Sequence, residues 1–450
     1  MSIYKGYDIR GIVPSEINAD LAYTLGCAFA CYIRNLKTDG QKLRILVSRD
    51  NRSTSNELSE QLIAGLMSQG VQCIDIGLAA TPIFYFASDH LGCDGGIMVT
   101  ASHNPAQYNG FKIVREESIP IGLDSGLLDI QTLVERADFP PQTVGSVEKK
   151  EIIDQYIVNQ KNILEMTDTK NLTIAIDTGN GVSVSMIKPF METLNTHMIP
   201  LYFEMDGTFP NHEPNPLKYE NIKDLCELVR SKKADCGIAL DADGDRVIFV
   251  DEHGEPVSSD FISALVIVEL LKNVPGATIL YDVRSSHVVR ETIQEHGGTP
   301  HVTRVGHAYI KERMRSLDAL FTGEVSGHFY FKDTHYYEAP LLTIGMILKA
   351  MMKKNIPLSQ LIAPYKKYCS TGEVNFTVSD KDAVVRRIKD HFAPDAKVTS
   401  EIDGITMEFD EWWFNVRLSN TEDVLRLNME ATSQEMCDDK RAEIENIIKQ

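Results

Sequence analysis

The sequence contains little that would place the protein in a membrane or outside the cell. No segment reaches the roughly 18 uninterrupted apolar residues that a membrane span needs, and the apolar run around residue 266 is interrupted by Glu269. The N-terminal residues MSIYKGYDIR lack the apolar run of a signal peptide. The eight cysteines include no C-x-x-C pair, which favours free thiols over disulfides or a zinc site. We therefore expect a cytoplasmic protein that binds no membrane.

Positive charge is also scarce. The chain has 45 Lys and Arg residues and 64 Asp and Glu residues, which gives a formal net charge of −19. No basic patch is concentrated along the chain. This balance repels nucleic acid, so we expect no nucleic-acid partner. An anionic substrate would have to be held by a few Arg, Lys and backbone N–H groups that point inward from loops.

The chain is long enough for several domains, because 450 residues exceed the size at which one hydrophobic core keeps growing. Short β-rich apolar runs alternate with helix-period segments through most of it, a pattern typical of α/β architecture. We predict three α/β domains over 1–149, 150–250 and 251–368, followed by a smaller α+β domain over 369–450.

Polar motifs follow an apolar strand in each predicted α/β domain. GIMVT runs into ASHNP, GIAL runs into DADGDR, and FTG runs into EVSGH. Ligands of α/β sheets bind at the carboxyl ends of strands, so these loops are the expected positions of a site. The three domains would then contribute to one cleft.

The motif DADGDR predicts a metal site. Asp241, Asp243 and Asp245 are spaced by two, so an extended backbone would project the three carboxylates to one side, where they repel unless a divalent cation neutralises them. A solvated acidic loop is the alternative. An EF-hand is excluded because Arg246 stands where that loop needs Gly. All-oxygen ligands indicate Mg²⁺.

Three further motifs carry candidate site residues. Ser102 follows a strand in a loop where we expect its hydroxyl to be exposed. The alternative is that Ser102 is an ordinary turn or capping residue. The alternative for His103 is an ordinary hydrogen-bonding residue of a loop. A serine-hydrolase elbow is unlikely because G-x-S-x-G is missing. GEVSGH and RLSNTEDVLR suit sugar hydroxyls and a phosphate respectively, with an ordinary turn and a solvated hairpin loop as alternatives.

Together these motifs resemble the α-D-phosphohexomutase family, most closely its bacterial phosphomannomutases and phosphomannomutase/phosphoglucomutases. The resemblance extends from Y-D-I-R-G at Tyr7 through T-A-S-H-N-P, D-x-D-G-D-R and G-E-x-S-G-H to R-x-S-N-T. It implies a heart-shaped fold of three similar α/β domains with mixed sheets and a smaller fourth domain around one central cleft. Departures from the family pattern include Arg284, where Lys is common, and Asp423, where Pro is common.

The resemblance also implies roles for particular residues. Ser102 would carry the phosphoryl group and, with Asp241, Asp243 and Asp245, bind Mg²⁺. The residues near the transferring phosphate, or assisting proton transfer, would be His103, Lys112, Arg246 and His328. The residues binding the substrate would be Tyr7, Arg10, Arg284, His307, Glu324, Ser326, Arg417, Ser419, Asn420, Thr421 and Arg426.

The implied reaction interconverts mannose 6-phosphate and mannose 1-phosphate through phosphoserine and a hexose 1,6-bisphosphate, which also serves as activator. The enzyme would act in GDP-mannose synthesis as a monomer or homodimer. Glucose phosphates are an alternative or additional substrate, since mannose and glucose differ only at the 2-hydroxyl. A sugar-phosphate sensor without catalysis and a phosphatase are alternatives of other classes.

Overall fold

The computed structural model describes residues 2–37, 40–166, 168, 169, 172–419 and 424–449 of the chain. The chain divides into two compact units, and each is described by itself. The first unit comprises Met1–Ser259 and Ser326–Leu361, and the second comprises Asp260–Val325 and Ile362–Gln450.

The N-terminal part of the first unit is an α/β domain with a mixed sheet. Its strands are β1 (Ile9–Ile12), β2 (Arg44–Arg49), β3 (Gln72–Leu78), β4 (Gly95–Val99), β5 (Tyr108–Arg115), β6 (Ile119–Pro120) and β7 (Ser146–Lys149). Its helices are α1 (Ala19–Leu36), α2 (Ser55–Ser68), α3 (Thr81–His90) and α4 (Leu127–Arg136). The strand order is β1-β5-β4-β2-β3-β7, with β6 paired to β5. Strand β2 runs parallel to β3 and β4, whereas β5 is antiparallel to β1 and β4.

Local sequence explains how this domain positions its polar loop. Asn18 caps α1 by accepting a hydrogen bond from the Leu21 N–H at 2.9 Å, and all five residues of β4 are buried. Because β4 is apolar on both faces, it lies inside the sheet, where parallel strands of α/β proteins belong. The chain leaves its carboxyl end directly into residues 100–107.

A second α/β domain follows in the first unit. Its strands are β8 (Thr173–Asp177), β9 (His197–Leu201), β10 (Cys236–Leu240), β11 (Val247–Val250) and β12 (Pro256–Val257), and its helices are α5 (Ile153–Leu164), α6 (Val184–Thr193) and α7 (Tyr219–Lys232). The strand order is β12-β11-β10-β8-β9. Strand β10 is parallel to β8 and antiparallel to β11. It is fully buried and leads into residues 241–246.

The next elements alternate in the same α/β manner. The helices are α8 (Ser259–Asn273), α9 (His287–Glu295), α10 (His307–Leu317), α11 (Pro340–Lys354) and α12 (Leu358–Ile362), and the strands are β13 (Thr278–Asp282), β14 (Thr299–Thr303), β15 (Phe321–Gly323) and β16 (Phe329–Phe331). In the second unit, β13 is central and parallel to both β14 and β15. In the first unit, α11 packs against α5, where the Lys349 ammonium donates to the Leu164 carbonyl at 2.8 Å.

The C-terminal domain is smaller and has an antiparallel sheet. Its strands are β17 (Cys369–Phe376), β18 (Val398–Ser400), β19 (Ile405–Glu408), β20 (Trp412–Leu418) and β21 (Leu425–Ala431), and its helices are α13 (Lys381–Phe392) and α14 (Gln434–Ile448). The strand order is β17-β21-β20-β19-β18. Aromatic side chains form part of its core, with the Phe392 ring 5.4 Å from the Trp412 ring.

This architecture confirms the predicted fold class of α/β domains with mixed sheets and a smaller α+β domain at the C-terminus. The predicted boundaries after residues 149, 250 and 368 stay predictions. Among the described residues, no helix is both long enough and apolar enough to cross a bilayer.

Candidate active site

Ser102 lies in the loop after β4 and meets the acidic motif of the second domain. Its hydroxyl Oγ is 3.3 Å from Asp241 Oδ2 and 3.2 Å from His103 Nδ1. Ser102 is only 3% exposed, so the expectation of an exposed hydroxyl is wrong. The reason is that the neighbouring His103 and the Asp241 carboxylate lie against it. Its φ of 51° is in the left-handed region, where a non-glycine residue is strained.

The three aspartates converge because their loop turns tightly. Among the described residues, they alone form a cluster able to hold a metal ion, with one oxygen from each lying within 4.8 Å of the others. The backbone of this motif is therefore not extended, as the spacing by two had predicted, but forms a turn. Gly244 has a φ of 72°, which suits glycine, and its N–H donates to the Asp241 carbonyl at 3.1 Å, so a turn brings the side chains together.

The arrangement fits a divalent cation on two grounds. All three carboxylates are buried, and Asp243 Oδ1 accepts no hydrogen bond among the described residues. A buried carboxylate oxygen left without a donor is costly unless a cation meets it. Oxygen ligands of this kind are those that Mg²⁺ prefers.

The acids also perturb one another. Burial, and then the charges of Asp245 and Asp243, raise the pKa of Asp241 well above its ordinary value. Burial acts in the same direction on Asp245, but the charges of Lys112 and His328 outweigh it and hold the pKa of Asp245 well below its usual range. A bound cation would favour the ionised form of Asp241.

Lys112 reaches the same acids from β5. Its ammonium donates to Asp243 Oδ2 at 2.7 Å and also pairs with Asp245. Burial opposes its charge, yet the two aspartates raise the pKa of Lys112 well above its ordinary value, so it stays protonated. Thr81, at the start of α3, also donates to Asp243 Oδ2 at 2.6 Å. Lys112 therefore places a fixed positive charge beside the acidic cluster.

Two histidines border the cluster. His328 Nε2 is 3.2 Å from Asp245 Oδ1, and its Nδ1 is 3.0 Å from the Ser326 hydroxyl. Burial, and then the charges of Arg246 and Arg10, lower the pKa of His103 well below its usual value. His103 is therefore neutral near pH 7 and able to accept a proton or a hydrogen bond.

Three more predicted residues lie in the first unit. Arg10, on β1, donates to Asn104 Oδ1 at 2.6 Å, in the Ser102 loop, and to Asp8 at 2.5 Å. Arg246 ends the acidic turn, with its Nε 3.7 Å from Asp241 Oδ2. Tyr7 is half-buried just before β1.

The remaining predicted residues lie in the second unit. Glu324 follows β15, is 3% exposed and accepts from the Arg284 guanidinium at 3.3 Å. Arg284 also forms a paired contact with Asp282, whose two oxygens lie 3.0 and 2.8 Å from its Nε and Nη2. His307 begins α10.

The two arginines among the predicted phosphate-binding residues contact a carboxylate that the sequence motifs did not indicate. Arg417 and Arg426 lie directly opposite each other on β20 and β21, where like charges repel. Glu373, on β17, pairs with Arg417 at 3.0 Å and with Arg426 at 3.2 Å, and lies 4.0 Å from Arg284. Ser419 follows β20. Asn420 and Thr421, like Asp423, lie outside the described residues.

Sequence reasoning also missed a pair at the end of β2. Asp50 and Arg52 are both buried, and Arg52 donates to backbone carbonyls of the Ser102 loop, including that of Ser102 at 2.6 Å. The sequence does contain a signal for Asp50 and Arg52, because these charged residues closely follow the apolar run LRILVS. Strand β2 ends at the same sheet edge as β4, where a site is expected.

In chemical terms, the first unit brings together one hydroxyl, an acidic cluster suited to a cation, a lysine ammonium and a neutral imidazole. A phosphoryl group on Ser102 Oγ would lie beside the acidic cluster, which pairs with Lys112 and Arg246 and where a cation could bind. The second unit separately presents paired arginines, which suit a phosphate dianion.

Comparison with known proteins places the chain in a family. The models for phosphoglucomutase/phosphomannomutase match in four segments: alpha/beta/alpha domain I at residues 1–140, domain II at 154–254, domain III at 258–368 and the C-terminal domain at 373–447. The chain therefore belongs to the phosphoglucomutase/phosphomannomutase family, as the sequence resemblance predicted.

Individual relatives agree with this assignment. The chain is 37% identical to a phosphomannomutase of Vibrio cholerae, over 100% of this chain and 98% of the relative. A crystal structure of a phosphoglucomutase/phosphomannomutase family protein from Burkholderia thailandensis has a TM-score of 0.91 and 31% identity, covering 99% of this chain and 97% of that one. The N-acetylphosphoglucosamine mutase of Aspergillus fumigatus shares the fold at a TM-score of 0.65 and 13% identity, covering 99% and 95%.

Proposed function

We propose that this protein is a phosphomannomutase that moves a phosphoryl group between the 6- and 1-oxygens of mannose phosphate through phosphorylated Ser102. The single observation that carries the proposal is the 3.3 Å distance between Ser102 Oγ and the buried aspartate cluster. The Ser102 hydroxyl and the Asp241 carboxylate come from different domains and are 139 residues apart in sequence. The full-length similarity to phosphomannomutases supports mannose as the sugar.

In the first transfer, the Oγ–P bond of phosphoserine 102 breaks and a P–O bond forms to the free hydroxyl oxygen of the bound sugar phosphate. The hydroxyl proton passes to a base, for which His103 and His328 are the candidates, and Ser102 Oγ takes up a proton as its bond to phosphorus breaks. The resulting hexose 1,6-bisphosphate turns end over end and returns its other phosphoryl group to Ser102. The bisphosphate is thus both intermediate and activator.

The aspartates Asp241, Asp243 and Asp245, with an oxygen on phosphoserine 102, would hold Mg²⁺. When bound, this ion neutralises charge on the transferring phosphoryl group. Lys112 supplies a second positive charge from its place between Asp243 and Asp245. Arg246, at the end of the same turn, would complete the cationic surroundings.

In the second unit, we assign the phosphate that is not reacting to Arg417 and Arg426, with Ser419, Asn420 and Thr421. We propose that the sugar phosphate is bound by Arg284, Glu324 and His307 of the second unit and by Tyr7, Arg10 and Ser326 of the first unit. We also propose a cytoplasmic location and four domains, with the ranges 1–149, 150–250, 251–368 and 369–450.

The test compares kcat/KM on mannose 1-phosphate and glucose 1-phosphate, with Mg²⁺ and a trace of hexose 1,6-bisphosphate. We expect mannose 1-phosphate to give the higher value and the Ser102 peptide to carry a phosphate that leaves when sugar phosphate is added. Equal or reversed values would make the enzyme a dual-specificity mutase or a phosphoglucomutase. A phosphate that stays would indicate a sensor, and steady phosphate release without isomerisation would indicate a phosphatase.

The position of Glu373 leads to a prediction about phosphate affinity. Its carboxylate already pairs with Arg417 and Arg426, so it competes with any phosphate for the same guanidinium groups. Glu373→Gln keeps the size and removes the charge. We expect inorganic phosphate to inhibit this variant about tenfold more strongly, equivalent to about 1.4 kcal/mol, measured as its competitive inhibition constant.

Glu401→Gln is the matched control, because Glu401 lies in the same domain and pairs with Lys389 instead of an arginine of this cluster. Its inhibition constant should equal that of the wild type. Weaker inhibition of the Glu373→Gln variant would mean that the carboxylate orients the arginines more than it competes with phosphate.

A further inference from the structure

The side chain of Arg52 is fully buried at the end of β2, and all its donors are used. A guanidinium has five N–H groups in a rigid planar fork. In this structure they bond to Asp50 Oδ2 (3.1 Å) and to the carbonyls of Ser102 (2.6 Å), Asn104 (2.6 Å), Pro105 (2.8 Å) and Tyr108 (3.0 Å). One side chain therefore binds three carbonyls of the loop that carries Ser102 and the carbonyl of Tyr108, the first residue of β5.

Asp50 fixes the other side of the same loop. Its carboxylate accepts from the Thr100 hydroxyl at 2.7 Å, from the Ser55 hydroxyl at 2.5 Å and from the Arg52 side chain. The Thr100 oxygen in turn accepts from the Ser102 N–H at 3.0 Å. The backbone of Ser102 is thus held at its N–H through Thr100 and at its carbonyl by Arg52. Holding both ends explains how its left-handed φ of 51° persists.

The second domain packs against the segment 50–52. The Phe209 ring lies 5.0 Å from the Arg52 guanidinium carbon, and Asn51 Nδ2 donates to the Asn180 carbonyl at 2.8 Å. A Cβ added at Gly207 would meet the Asn51 carbonyl oxygen and would lie 2.6 Å from Arg52 Cα. The backbone at Gly207 therefore packs directly against the backbone of residues 51 and 52.

This contact also connects to the acidic turn. Asn180 lies in a loop whose Ser183 N–H donates to the Ala242 carbonyl at 3.3 Å, between two of the aspartates. A Cβ at Gly181 would collide with Ala242. The segment 50–52 therefore touches the nucleophile loop directly and the metal-binding turn through one intervening loop.

We infer that Arg52 is a positioning residue that sets Ser102 Oγ against the aspartate cluster, an inference that rests on the proposed function. Arg52 does not need to touch substrate for this role. A lysine would keep the positive charge, but its ammonium is a point charge with three donors and no planar fork, so it cannot satisfy four carbonyls and Asp50 together. The loop would lose part of its support while the charge and the metal ligands stay in place.

The experiment compares Arg52→Lys with Arg44→Lys. Arg44 lies at the opposite end of the same strand and also donates to two backbone carbonyls, those of Leu91 and Gly92. We expect Arg52→Lys to lower kcat about 100-fold, because a displacement of about 1 Å of a reacting group costs that much, while KM and Mg²⁺ affinity change less than about threefold. Arg44→Lys should leave all three values close to those of the wild type.

Two further measurements separate positioning from general loss of structure. Hydrogen exchange read by mass spectrometry should show faster exchange in the peptide spanning residues 100–108 of Arg52→Lys, and no change there in Arg44→Lys. Guanidinium added to Arg52→Ala should restore part of kcat, whereas added ammonium should not, since only the planar ion offers the same donors.

The values of kcat, Mg²⁺ affinity and hydrogen exchange each support or contradict the positioning role of Arg52. Unchanged kcat in Arg52→Lys overturns it, and so does a loss of kcat accompanied by an equal loss of Mg²⁺ affinity or by faster exchange throughout the protein. If the wild type interconverts no hexose phosphate, the proposed function fails, and the exchange of residues 100–108 still decides whether Arg52 holds this loop.

Discussion

Ser102→Ala is expected to lose mutase activity by at least about a thousandfold, since removing a serine nucleophile from another enzyme class costs about a millionfold. The hydroxyl is the only oxygen of Ser102 able to carry a phosphoryl group, and it lies 3.3 Å from Asp241 Oδ2. The assay is conversion of mannose 1-phosphate to mannose 6-phosphate. Mass spectrometry of the Ser102 peptide after incubation with hexose 1,6-bisphosphate should show phosphate in the wild type and none in the variant.

A second serine in the same domain provides the control. Ser118 is also fully buried, also has a left-handed φ, of 55°, and donates its hydroxyl to the Tyr85 carbonyl at 2.6 Å. Ser118→Ala should lower the free energy of unfolding by about 1 kcal/mol through the lost hydrogen bond and keep kcat. If Ser102→Ala retained more than about a tenth of the activity, a difference of under about 1.4 kcal/mol in barrier, Ser102 would not carry the phosphoryl group.

The positions of the loops could be predicted from sequence because they follow from strand polarity. An apolar run that ends in polar residues marks the carboxyl edge of a sheet, and β4 and β10 both behave in this way. The acidic cluster that could hold a cation could be predicted as well, because its three aspartates lie within five residues of one another in the sequence. These inferences need only the order of residues along one strand and the loop after it.

The contacts between distant segments could not be predicted in the same way. Spacing by two suggested an extended acidic motif, whereas the left-handed Gly244 turns it. Nothing near Lys112 in the sequence indicates that its ammonium meets Asp243, 131 residues later. Glu373 is one acid among many until the β17–β21 and β20–β21 pairings place it beside two arginines. The Gly244 turn is local, whereas the contacts of Lys112 and Glu373 depend on how distant segments pack and on strand register, which no local pattern encodes.

Electrostatics explains how so acidic a chain can bind an anion. The −19 formal charge is spread over the whole chain, whereas Lys112 lies within hydrogen-bond distance of the acids that surround the proposed phosphoryl site. Unit charges about 4 Å apart interact by about 4 kcal/mol at an effective dielectric of 20, whereas exposed charges beyond about 10 Å are largely screened by salt. Lys112, Arg246 and a divalent cation together would exceed the charge of the three aspartates, so the site would be locally positive despite the diffuse field.

The second large effect is expected for Asp243→Asn, which should weaken Mg²⁺ binding at least about 100-fold. A unit charge about 4 Å from a cation contributes about 4 kcal/mol at an effective dielectric of 20, and each 1.4 kcal/mol is tenfold in affinity. Asp243 is the sharpest choice because its Oδ1 accepts no hydrogen bond among the described residues, while its Oδ2 already accepts from Thr81 and Lys112. Titration calorimetry with Mg²⁺, and electron paramagnetic resonance with Mn²⁺, measure the change directly.

Asp251→Asn separates loss of a ligand from loss of any buried acid in this domain. Asp251 is 3% exposed, and its Oδ1 accepts from the N–H groups of His253 and Glu255 at 2.9 and 3.0 Å, an arrangement that an asparagine oxygen can reproduce. This variant should bind Mg²⁺ as the wild type does. Unchanged affinity in Asp243→Asn would mean that the cation lies elsewhere, because no neutral amide replaces a carboxylate ligand beside a divalent ion without loss.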